Sequence, residues 1–94
     1  MIKKFFAVYD IKSLVFSSPF LAVNSDCALR SFANAANDFN SDINRNPADY
    51  ILYEIGSFDD TTCQIVPLPE RLYMGTALQY VTNPNPIPEV IENV

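Results

Sequence analysis

The run KKFFAVYD, Lys3 to Asp10, carries apolar side chains on both of its alternating faces. Phe5, Ala7 and Tyr9 line one side, and Phe6 and Val8 the other. A strand with no polar face to offer water belongs well inside a sheet, which commits the chain to building neighbours around it. The next residues, YDIKSLVF, read as a hairpin in which Asp10 and Ser13 supply the turn chemistry. Pro19 cannot donate to a ladder, so the second strand is expected to be broken and peripheral before Phe20, Leu21 and Val23.

Asn24, Ser25 and Asp26 are each good helix N-caps. From there Ala28, Phe32, Ala35/Ala36 and Phe39 recur on one helical face, widened by Leu29 and Ala33, and predict an amphipathic helix ending near Asp38 to Asn40. Its alanines allow close approach to a sheet. Asn40 to Asp49 is dense in Asn, Asp and Ser with Pro47, the composition of a loop. A strong strand follows from Tyr50 to Phe58, with Ile51, Tyr53 and Ile55 on one face and Tyr50, Leu52, Glu54 and Phe58 on the other. Gly56 is placed as a bulge or a close backbone approach requires. Asp59 to Thr62 is turn-like, and Cys63 to Leu68 is expected to return as a strand until Pro67 and Pro69 stop it. ERLYMGTALQYV fits either a short helix or a loose strand. The expected fold class is α+β, with the order β-β-α-β-β, a mostly antiparallel sheet and one helix packed on one face. Residues 1–68 form the expected domain, and residues 69–94 an extension ending in a proline-rich tail of extended, polyproline-like character.

Composition excludes several kinds of chemistry. The 94 residues contain no histidine and no tryptophan, so no serine has a histidine to activate it. The two glycines cannot make a phosphate-binding loop. Two cysteines, Cys27 and Cys63, cannot hold zinc alone and are expected to be small buried apolar residues in a reducing cytosol. Asp59 and Asp60 have no calcium-loop spacing and read as solvated turn acids. No metal, no cofactor and no enzymatic activity are expected, and no stretch approaches the ~18 apolar residues of a membrane span.

Charge is split along the chain. The net charge is −5, and all of the negative excess lies in residues 46–94, where Arg71 is the only base. The first half holds Lys3, Lys4, Lys12, Arg30 and Arg45. Lysines beside aromatic residues such as Tyr9, Phe6 and Phe16 are how single strands of nucleic acid are bound, charge tracking the backbone while bases stack on rings. The same pattern arises when lysines protect a sheet edge and the rings are core. The candidate nucleic-acid-binding set is Lys3, Lys4, Tyr9, Lys12, Arg30 and Arg45.

Tyr9-Asp10, Pro19-Phe20, the A-L-R-S-F segment Ala28 to Phe32, Leu52 to Asp60, and Ile65-Val66-Pro67 occur in an order that resembles the small nonstructural protein of gokushoviruses, microvirus phages with single-stranded DNA genomes. The resemblance spans about residues 5 to 68. It implies a nonstructural protein in the cytoplasm of an infected bacterium, acting in single-stranded genome synthesis or packaging, with single-stranded DNA or viral and host replication proteins as partners. Self-association into a homo-oligomer, or docking through the Pro84 to Pro88 tail, is the competing expectation, a protein-interaction module with no DNA contact.

Overall fold

The computed structural model describes residues 1–82, so the proline-rich tail expected beyond Thr82 lies outside the described residues. It is an α+β fold in which one antiparallel sheet carries its helix on one face. The elements in chain order are β1 (Ile2–Asp10), β2 (Val15–Phe16), β3 (Phe20–Ala22), α1 (Ser25–Ala36), a four-residue α2 (Asp42–Arg45), β4 (Tyr50–Asp59) and β5 (Gln64–Thr76). β1 is central, as its two apolar faces require. β2 pairs with its C-terminal end, Tyr9 opposite Phe16, and β3 with its N-terminal end, Phe6 opposite Phe20. They are two pieces of one edge strand broken before Pro19. At the break Ser17 replaces the missing ladder: its N–H donates to the Val8 carbonyl at 2.7 Å, and its Oγ accepts from the Val8 N–H at 2.9 Å. β4 lies on the other side of β1, and β5 forms the far edge.

The two hairpins close in the same way. Asp10 Oδ1 accepts from the Lys12 N–H and Asp59 Oδ1 from the Thr61 N–H, both at 2.9 Å. The carbonyls of these two aspartates accept from Leu14 at 2.8 Å and Cys63 at 2.7 Å. Leu14 and Cys63 consequently share a left-handed backbone, with φ of 64° and 66°. This turn explains why Cys63 is exposed rather than a buried core residue.

α1 is capped by Asn24, whose Oδ1 accepts from the Cys27 N–H at 2.9 Å. Ala28, Phe32 and Ala36 are buried against Phe6, Leu52 and Ala77, the expected stripe. Phe39 lies past the helix end and is 56% exposed. The orphan carbonyls of the last turn find side-chain donors: Asn37 Nδ2 donates to the Ala33 carbonyl at 2.8 Å and Asn44 Nδ2 to the Ala36 carbonyl at 2.9 Å. Asn37 also clips the end of the described chain, donating to the Tyr80 carbonyl and accepting from the Thr82 N–H. Part of the segment expected as loop is thus folded, as α2 and a tight turn at Pro47–Asp49. Ser41 caps it, its Oγ accepting from the Ile43 N–H at 3.0 Å.

The prolines do not end the last strand. β5 runs through Pro67 and Pro69 to Thr76, and the following turn, Ala77–Tyr80, enters the core with Ala77 fully buried. The boundary expected at residue 68 therefore falls inside the folded unit. Proline is tolerated because β5 is an edge strand and bulges there, several of its residues standing opposite Ile55. Gly56 is needed at this bulge, since a Cβ would sit 2.7 Å from the Val66 carbonyl oxygen. No helix among the described residues is long and apolar enough to cross a membrane.

Two stability measurements follow. Phe32→Ala, at a fully packed site, costs about 3–5 kcal/mol in urea unfolding, whereas Phe39→Ala stays within about 0.5 kcal/mol. Cys63→Gly relieves the left-handed strain and raises stability by about 0.5–1 kcal/mol, seen as a higher urea midpoint.

Candidate nucleic-acid interface

α1 covers the sheet face of Phe6, Val8 and Leu52. The opposite face is bare, and strand alternation places Tyr9, Phe16, Tyr53 and Tyr73 on it. Phe16 meets Tyr9 with ring centroids 4.5 Å apart and Tyr53 at 5.8 Å, and Tyr53 meets Tyr73 at 6.1 Å. The rings close over β1 because the residue between them is small: Ala7, paired with Tyr53, is buried beneath. Arg71 on β5 lies across them, its guanidinium carbon 5.2 Å from the Phe16 centroid and 5.0 Å from the Tyr53 centroid. A cation held over two aromatic faces joins four strands into one platform.

β-Bulges decide who shares this face. The register of β1 on β4 shifts between Phe5 and Phe6, where Ile55 is inserted. Phe58, expected beside Leu52, is thereby carried to the opposite side, where its ring meets Phe5 at 6.2 Å. The long bulge of β5 likewise presents Arg71 to Tyr53, and with Ile55, Leu68, Pro69 and Glu70 it forms an open groove beside the platform.

Of the candidate set, Tyr9 is on the platform and Lys12 is exposed in the adjoining turn. The others are dispersed. Lys4 Nζ lies 3.6 Å from the carboxylate of Glu54, a residue only 8% exposed that needs this partner. Lys3 pairs with Asp60 at 3.6 Å, and Asp60 also accepts from the Met1 amino group at 2.7 Å, which holds its carboxyl below the usual range. Arg45 pairs with Asp42 at 2.5 Å, and Arg30 is exposed on α1, in the layer opposite Tyr9. The basic residues nearest the amino terminus are thus committed to ion pairs. Sequence reading missed Arg71, Tyr53 and Tyr73. The available signal was the R-L-Y alternation of residues 71–73, which puts Arg71 and Tyr73 on one side of any strand.

The acids are equally separate. Asp10 lies at one end of β1 and Asp59 pairs with Ile2 at the other, roughly 26 Å away at about 3.3 Å per residue. Each carboxylate binds its own turn. Among the described residues no group of three or more His, Cys, Asp or Glu is placed to hold a metal ion.

Residues 3–80 match the model of a family described as Phage ORF5 protein. No curated protein and no solved structure matches the chain.

The turn that places Phe16 against Tyr9 is sensitive to acid. Acceptance from the Lys12 amide holds the Asp10 carboxyl below its ordinary 3.8. Its contribution to stability is therefore present above that value and lost as pH falls through the depressed one. The gap in urea midpoint between wild type and Asp10→Ala, open at neutral pH, is expected to close on acidification below 3.8. An NMR titration of the Asp10 carboxyl checks the same point directly.

Proposed function

The chain belongs to the Phage ORF5 protein family, and on that premise we propose that it is a non-enzymatic accessory protein of phage single-stranded DNA synthesis or packaging, working in the cytoplasm of the infected bacterium. It holds single-stranded DNA on the bare face of its sheet. The observation that carries this reading is the platform itself: Tyr9, Tyr73 and the Arg71 guanidinium plane laid over Phe16 and Tyr53 provide stacking surfaces for successive bases, and Arg71 and Lys12 provide charge for the backbone. Stacking on aromatic side chains accepts any base, so the reading implies little sequence preference. With so few cations engaged, the affinity is weak and its salt dependence shallow.

The cations first singled out have a smaller part in this reading. Lys3 and Lys4 already have carboxylate partners, and Arg30 and Arg45 lie away from the rings. A second reading, docking of a viral or host replication or packaging protein without DNA contact, is favoured by the acidic character of residues 46–94.

Titration with a fluorescently labelled oligo-dT at about 50 mM and about 200 mM salt separates the two readings. Tyr53→Ala or Tyr73→Ala is expected to weaken binding by about 1–3 kcal/mol, and Arg71→Ala to weaken it and flatten the salt slope. Substitution of Arg30 and Arg45 has little effect. No binding at the lower salt would leave the docking reading in place.

A further inference from the structure

Tyr53 belongs both to the aromatic platform and to the open groove beside it, a space of about 600 Å³ whose other walls are Ile55, Leu68, Pro69, Glu70 and Arg71. Neighbours in a regular strand point to opposite faces. Here the bulge sets Leu68 to Arg71 opposite the single residue Ile55, and Glu70 and Arg71 come to line the same groove. The two are held differently. Arg71 lies over the Phe16 and Tyr53 rings. Glu70 is exposed, and among the described residues it takes part in none of the ion pairs, which engage Asp42, Glu54 and Asp60.

Resting on the reading of the platform as a seat for single-stranded DNA, we propose that this groove takes one base of the bound strand and that Glu70 makes it prefer guanine. A carboxylate repels phosphate, so what enters past Tyr53 is a base and not the backbone. An ionised carboxylate only accepts hydrogen bonds, and its two oxygens side by side call for two donors side by side. Among the four DNA bases guanine alone has them on its Watson–Crick edge, the N1–H beside the N2 amine. Adenine and cytosine set one amine beside a ring-nitrogen lone pair, and thymine sets one N–H between two carbonyl oxygens, so each turns a lone pair toward Glu70. Ile55, Leu68 and Pro69 give apolar contact to any base and do not discriminate. The platform thus holds bases without choosing, and the groove chooses at one position. A cationic side chain of a protein partner would also meet Glu70, but Arg71 in the same groove opposes it.

The test is titration of the full chain, at about 50 mM salt, into labelled oligo-dT of about eight nucleotides and into the same strand carrying one central dG, dA or dC. The dG strand is expected to bind at least about fivefold more tightly than the other three, the low end of what a bidentate contact to a base discriminates. Inosine in place of that dG lacks the N2 amine and should lose most of the gain, a comparison that leaves the protein unaltered. Glu70→Gln, its folding checked by circular dichroism, should abolish the preference and bind oligo-dT more tightly, because a charge that repels phosphate is gone. Equal binding of the four strands by wild type overturns this inference and leaves the platform reading standing. A dG preference that survives inosine or Glu70→Gln overturns it as well, since the carboxylate is then not the reader. Binding of none of the strands overturns both.

Discussion

One helix has to serve a whole sheet. α1 has twelve residues and extends about 18 Å, whereas β5 has thirteen residues and extends about 43 Å. The helix therefore covers one face, and that face only near Phe6, Leu52 and Ala77. Alanines at 28 and 36 bring it close enough to exclude water with few large side chains, and Phe32 supplies most of the buried volume. Everything outside that footprint must be stabilised by strand pairing, by ring contacts on the surface, or by contact with another molecule.

The bulges then determine what the uncovered face displays. An inserted residue reverses the side to which all following side chains point. Ile55 does this in β4, moving Phe58 from the helix side to join Phe5, and the longer interruption in β5 brings Arg71 over Phe16 and Tyr53. The platform is a product of these irregularities as much as of the aromatic content. A regular ladder with the same residues would have divided the rings between two faces.

This accounts for what could be read in advance. β1, the break at Pro19, the Asn24 cap, the stripe of α1 as far as Ala36 and the start of β4 follow from local periodicity and capping, and they stand where expected; Phe39 does not, because the helix ends before it. Phe58, β5 and Arg71 do not, because their positions depend on pairing with a strand remote in sequence. Pro67 and Pro69 looked like terminators, since proline breaks an interior strand, and only the edge position of β5 makes them tolerable. The basic cluster was misleading for a related reason. Lys3 and Lys4 are neighbours of Asp60 and Glu54 in space but lie more than half the chain away from them, so their charges looked free.

The same two prolines bear on how far assembly can go. A sheet edge with every amide available is a template on which further chains can add without limit, and a small protein with half its sheet bare is exposed to that fate. β5 lacks two of those amides and is bent by its bulge, so strand addition cannot propagate along it. Open-ended strand addition along this edge is thereby disfavoured.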